Sequence, residues 1–229
     1  MIDSYGHPDD VTEINSYEDT VINAVKWAKA RGIDEMEFNL GALQYNVSTE
    51  RLEGAEAVVE LVKVATKDDT DSEDVLPHLY DYIDSIVDAC IFVLVDTCKK
   101  GWIPSELTQA KVDTMKLPHR QAVLDPVSPM WFYQNSPYLY YVCTCRELVT
   151  LGFSPDDCFT EAFKEISTRR GRYNKETNKW QKEPIPVDKE YKADYSICTF
   201  EPTDELVDVI SVFNGFKSPS EDFEDTLRI

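Results

Sequence analysis

Positive charge is scarce in this chain of 229 residues: 23 Lys and Arg stand against 43 Asp and Glu, for a formal net charge of −20. Phosphate backbones and anionic bilayers are recognised by Lys and Arg, so the balance argues against nucleic acids and membrane surfaces as partners. No apolar run approaches the roughly 18 residues that a spanning helix needs, which leaves no candidate membrane span. The opening residues, MIDSYGHPDDVTEINSYED, are polar and acidic, the opposite of a secretory signal. Zinc-like spacing is missing among Cys90, Cys98, Cys143, Cys145, Cys158 and Cys198, and Cys143-Thr144-Cys145 is too tight for a zinc knuckle. The cysteines read as reduced thiols of a cytoplasmic protein. His7, His78 and His119 stand apart from any partner motif and are assigned no role.

What the chain does have is enough apolar matter for a core, with 42% hydrophobic and 11% aromatic residues. The periodicity is helical almost throughout, which predicts an all-α fold. Val21, Ile22, Val25 and Ala28 form a stripe on a helix from Tyr17 to about Arg31, stopped by Gly32. Residues 34–47 suit either a short helix or an ordered loop. A helix then starts near Ser48-Thr49-Glu50-Arg51, with Leu52, Ala55, Val58, Val59 and Val62 on its expected inner face. After an acidic loop comes the strongest helix, Leu76 to about Lys99, with Leu79, Ile83, Ile86, Val87, Cys90, Ile91 and Leu94 on one side. A short helix from Pro104 to Leu117, a Pro-interrupted crossover over 121–137, helices at 138–151 and 156–170, and a basic hairpin around 175–178 follow. A last short helix spans 204–213 before an acidic tail. This divides the chain into a loose leader (1–16), a helical core (17–120), a second helical part packed on it (121–200) and a terminal helix and tail (201–229). Lys100-Gly101-Trp102-Ile103-Pro104 parallels Leu151-Gly152-Phe153-Ser154-Pro155, which is equally compatible with a half-duplication and with two ordinary helix–helix connectors.

Two acidic triplets share one spacing: Glu53/Glu56/Glu60 and Asp81/Asp84/Asp88 both run i, i+3, i+7. At 3.6 residues per turn, each triplet falls on one narrow side of its helix. Like charges so placed cost each helix a few tenths of a kcal/mol per pair. A divalent cation would reverse that cost, because Mg²⁺ takes oxygen ligands, carboxylates and water among them. Two such helices face to face would form a cage suited to phosphate chemistry.

The order of motifs resembles a family. A helix with Trp27 and Arg31-Gly32-Ile33 precedes Glu56-x-x-x-Glu60-Leu61. Then come Asp84-Ser-Ile-Val-Asp88, Gly101-Trp102-Ile103-Pro104, and Ala110-Lys111 through Lys116-Leu117-Pro118. Over residues 17–118 this is similar to the MazG-like, all-α NTP pyrophosphohydrolases. The segment Phe163 to Trp180, with Arg169, Arg170 and Arg172, is similar to the basic segment of phage-type members. Family pairs are E-x-x-E and E-x-x-D, whereas the acids here are spaced i, i+4 (Glu56/Glu60 and Asp84/Asp88), or i, i+3 in the alternative registers Glu53/Glu56 and Asp81/Asp84. The resemblance implies a helical bundle with a C-terminal extension and Mg²⁺ (with Mn²⁺ as substitute) held by Glu56, Glu60, Asp84 and Asp88. Glu53 or Glu56 would position the attacking water. Lys111, Lys116, Arg169, Arg170 and Arg172 would meet the phosphates, and Trp27 would stack on the base. The implied reaction splits a (deoxy)nucleoside triphosphate into monophosphate and pyrophosphate for nucleotide-pool control. It would take place in a cytoplasm (that of a host, if the chain is viral), in a homodimer or homotetramer. Two rivals keep the charge without the chemistry: an acidic interaction protein that mimics a polyanion, and a nucleotide-binding sensor.

Overall fold

The computed structural model describes residues 11–67, 72–99, 137–169, 171–174, 179–183 and 190–200. These form five α-helices, α1 (Tyr17–Ala30), α2 (Leu40–Ala65), α3 (Ser72–Lys99), α4 (Pro137–Thr150) and α5 (Pro155–Thr168). An antiparallel hairpin follows, β1 (Gly171–Asn174) and β2 (Lys179–Lys182), with Arg172 opposite Gln181, and then a 3-10 turn at Tyr195–Cys198. The described part is therefore mostly helical. Expected elements at 104–117 and 204–213, the crossover, and the first copy of the suspected repeat lie outside the described residues.

Local chemistry sets the helix ends. Ser16 caps α1 by accepting from the Asp19 N–H at 3.2 Å, and the Asp19 carboxylate accepts from the Ser16 hydroxyl at 2.8 Å and from the Asn15 N–H at 3.2 Å. At the other end Gly32 adopts φ +65°, and the Ile33 N–H reaches back to the Ala28 carbonyl at 2.9 Å. α4 ends the same way, with Gly152 at φ +87° and the Phe153 N–H on the Leu148 carbonyl at 2.9 Å. Both are left-handed terminations that glycine permits at little cost. Ser154 and Pro155 then open α5. Residues 11–16, expected as part of a loose leader, are tied down. Ile14 is buried, and the Asn23 side chain binds both the N–H and the carbonyl of Thr12, at 2.9 and 2.8 Å.

α3 is the hub, packing on α1, α2, α4 and α5. Its buried residues, Leu79, Tyr82, Ile83, Ile86, Val87, Cys90, Ile91 and Leu94, are the centre of the core. α2 starts earlier than the sequence indicates, at Leu40 behind the Asn39 cap, so the ambiguous segment is largely its first two turns. It runs antiparallel to α3 in a close pairing. A Cβ on Gly54 would lie 2.2 Å from Ser85 Oγ and 3.4 Å from the Tyr82 ring.

That approach decides which side of α2 is inside. The buried face is Leu43, Val47, Arg51, Gly54, Ala57 and Leu61. Leu52, Ala55, Val59 and Val62, expected to face the core, are exposed instead. Small residues win the inner side because they let the two backbones close up. Arg51 is buried with them and donates through Nε and Nη2 to the Tyr140 hydroxyl at 3.2 and 3.0 Å, a polar link from α2 to α4. Cys90, Cys143, Cys158 and Cys198 are free and buried, in keeping with packing.

Candidate functional site

Of the triplet Asp81/Asp84/Asp88, the two that stay close to the core are Asp84 and Asp88, one turn apart on α3. Asp88 is buried and Asp84 half-buried, while Asp81 points to solvent. The side of α3 that carries the pair is closed by α5 and by the strap of residues 190–200. Tyr195 Oη donates to Asp84 Oδ1 at 2.7 Å. Arg169, the first residue past α5, brings Nη1 to 3.6 Å from Asp88 Oδ2 and donates through Nη2 to Glu165 Oε1 at 2.7 Å. Glu165 Oε2 accepts the Ala193 N–H at 2.9 Å. From the opposite side, Glu50 of α2 adds its negative charge to the environment of Asp88.

Burial, reinforced by the Asp84 carboxylate, pushes Asp88 from its ordinary 3.8 up to about 8, with Arg169 working in the other direction. Burial also raises Asp84, against the hydrogen bond from Tyr195. Burial would raise Glu165 too, but the Ala193 N–H and the Arg169 guanidinium outweigh it and hold that carboxyl below its usual value. Arg169 is depressed by burial and more than restored by Asp88 and Glu165, so it stays charged. The cluster thus holds one carboxyl that gives up its proton reluctantly beside one that is firmly ionised.

A buttress behind the cluster sets its geometry. Arg31 Nη2 donates to the carbonyls of Ile166, Ser167 and Arg169 at 3.1, 2.8 and 3.1 Å. The Trp27 indole N–H adds a bond to Ile166 at 2.9 Å, and the Arg31 guanidinium lies 4.9 Å from the Trp27 ring centroid. Trp27, considered from sequence as a stacking platform for a base, here caps the end of α5. One turn before Glu165 on the same face of α5, Glu161 accepts from the Tyr191 hydroxyl and from the Asp194 N–H, which pins the strap that delivers Tyr195.

The remaining residues singled out by sequence lie elsewhere. Glu53, Glu56 and Glu60 are exposed on α2, with Glu60 paired to Lys63 at 2.7 Å. The structure does not gather them with Asp84 and Asp88 into one cluster. Lys111, Lys116 and Arg170 lie outside the described residues, as does the side chain of Arg172 in β1. The members that the sequence did not single out are Glu50, Glu165 and Tyr195. The i, i+4 spacing of Glu165 and Arg169 was a readable signal for the second of these.

Asp84, Asp88 and Glu165 lie around the Arg169 guanidinium, and from the strap Lys192 Nζ approaches Glu165 Oε1 at 3.7 Å. Among the described residues, no group of three or more His, Cys, Asp and Glu side chains is arranged to hold a metal ion. No helix among the described residues is long and apolar enough to cross a membrane. Comparison with protein-family models, curated proteins and solved structures gave no match.

Proposed function

We propose that this protein hydrolyses a (deoxy)nucleoside triphosphate to the monophosphate and pyrophosphate, dependent on Mg²⁺ and built on a MazG-type helical bundle. The observation that carries the reading is the buried pair Asp84 and Asp88. Two carboxyls one turn apart, one buried and one half-buried, answered by a single arginine, are costly to fold around. Such a pair is retained most economically where a cation restores the balance. The cation would supply charge neutralisation for the triphosphate.

The chain's own residues supply the rest. Arg169, kept charged and fixed by Glu165, would bind a phosphate oxygen as that group approaches Asp88. Tyr195 holds Asp84 in one orientation. Glu50, on the helix facing Asp88, would accept a proton from water as its oxygen attacks the α-phosphorus and the α–β bridge breaks. Pyrophosphate then leaves with the bridging oxygen. Glu53 and Glu56, the sequence candidates for that task, are exposed on α2.

Incubating the protein with each common NTP and dNTP, with Mg²⁺, Mn²⁺ or EDTA, tests the reading. Monophosphate and pyrophosphate in equal amounts, formed with metal, absent with EDTA and lost in Asp88→Asn, support it. Folded protein that turns over no nucleotide with either metal overturns it, and nucleotide binding without turnover would identify a sensor instead.

A further inference from the structure

Two cysteines meet where the strap returns to the start of α5. The Cys198 carbonyl accepts the Ser154 N–H at 2.7 Å, and the Ser154 carbonyl accepts the Cys158 N–H at 3.0 Å, so one residue holds both cysteines by their backbones. Phe153 and Thr199 form an antiparallel bridge beside them, and the Phe200 N–H donates to the Gly152 carbonyl at 3.0 Å. The side chains are in contact as well. The Cys158 thiol is hydrogen-bonded to the Cys198 sulfur, and Cys198 donates in turn to the Asp194 carbonyl at 3.7 Å. Both residues are fully buried. Burial alone accounts for a single cysteine, which packs as a small apolar residue. Two sulfurs in contact across two elements have a further chemistry, because a disulfide joins residues whose backbones are already close and whose side chains point at each other.

We propose that Cys158 and Cys198 are a dithiol–disulfide pair whose oxidation bolts the strap of residues 190–200 onto α5. The oxidant is a small disulfide of the glutathione class. The Cys198 thiolate attacks one of its sulfurs and releases one thiol, and Cys158 then displaces the second thiol from the mixed disulfide. The cysteines give up two protons and two electrons, and the two released thiols carry both away. The bond to Cys198, together with burial, holds the Cys158 thiol above its ordinary value, so exchange waits for the strap to lift. Ile197 and Phe200 flank Cys198 at the surface, which makes the strap's sulfur the first to be uncovered. Tyr195, which donates to Asp84, lies in the same 3-10 turn as Cys198, so the oxidised form keeps Tyr195 on that carboxylate. The pairing stands on its own contacts and does not depend on the hydrolytic reading.

The test uses the full chain, reduced, freed of reductant and incubated in its folded state with glutathione disulfide. Free thiols are then blocked, and peptide mapping by mass spectrometry locates the bonds. The expected product is a disulfide between Cys158 and Cys198, formed without denaturant and reversed by dithiothreitol. It should raise the melting temperature by about 5 °C or more, the scale for closing a loop in a domain of this size. Cys198→Ser should abolish both the bond and the rise, whereas Cys143→Ser, on α4, should leave both in place. Thiols of Cys158 and Cys198 that stay free or carry glutathione overturn the proposal, as does a bond that forms only in urea. So does a bond between other cysteines in its place. So does a bond between these two that leaves the melting temperature unchanged, since the strap would then gain nothing from it.

Discussion

Arg31 and Arg169 are joined through the backbone: Nη2 of the first donates to the carbonyl oxygen of the second at 3.1 Å, across 138 residues. The same nitrogen takes the Ile166 and Ser167 carbonyls, so a cation from α1 sits on the negative end of α5. Burial lowers Arg31 to about 10, which leaves it charged at neutral pH. The point at which the chain leaves α5, and hence the aim of Arg169 toward Asp88, is set by α1.

Replacing Arg31 with Ala should therefore destabilise the protein by about 2–3 kcal/mol, the scale for losing hydrogen bonds to a charged group. Arg31→Lys should restore less than half, because an ammonium ends one bond short of Nη2 and cannot stack flat on the Trp27 ring, 4.9 Å from the guanidinium. Urea denaturation measures both, and wild-type stability in Arg31→Ala would show that α5 is held by other means.

Asp88 gives stability a pH dependence opposite to the usual carboxylate one. Its pKa is about 8 folded against an ordinary 3.8, so the folded form holds more protons across that interval. Stability should fall as pH rises from about 4 to about 8 and level off above, when the pair is ionised in both states. Asp88→Asn removes the ionisation. The drop in melting temperature from pH 5 to pH 8 should be larger in wild type than in the variant, and equal drops would refute the assignment.

Gly54→Ala should cost about 1–3 kcal/mol through overpacking, although Ala is the better helix former by roughly 1 kcal/mol. The new methyl would meet Ser85 Oγ at 2.2 Å and Ser85 Cβ at 3.3 Å, on a residue whose hydroxyl is already bonded to the Tyr82 carbonyl at 2.8 Å. Adding Ser85→Ala should recover part of the loss, since the hydroxyl clash goes and the Cβ contact stays. Thermal melts of the single and double variants decide it.

Among the α2 carboxylates, Glu50→Gln should reduce triphosphate turnover about a hundredfold, the scale of general-base catalysis. Glu56→Gln and Glu60→Gln should leave it within about twofold, as solvated surface changes do. Steady-state rates at saturating Mg²⁺ separate the two outcomes, and the reverse ranking would return the site to the outer glutamates.

Helix existence and the helix stops were legible in this chain because their signals are local. Gly32, Gly152 and the Ser154-Pro155 start act within a few residues of themselves. The orientation of α2 was not legible. Its helix carries two apolar sides, Leu52/Val59 and Val47/Leu61, and periodicity alone cannot say which one small residues will draw inward. Starting the helix at Ser48 instead of Leu40 hid Leu43 and Val47, the residues that extend the true inner face. Asp84 and Asp88 could be picked out as a stripe. Glu50 and Tyr195 could not, because the contact between Tyr195 and Asp84 spans 111 residues and leaves no trace in either local pattern.

The clamp of Asn23 on Thr12 grips main-chain atoms on both sides, one donor and one acceptor of the same residue. A grip of that kind is blind to the side chain it holds. Position 12 should therefore tolerate almost any replacement in a saturation library, with proline, which has no N–H to offer, as the outlier. Position 23 should tolerate almost none, because few other side chains present an acceptor and a donor from one short, flat group.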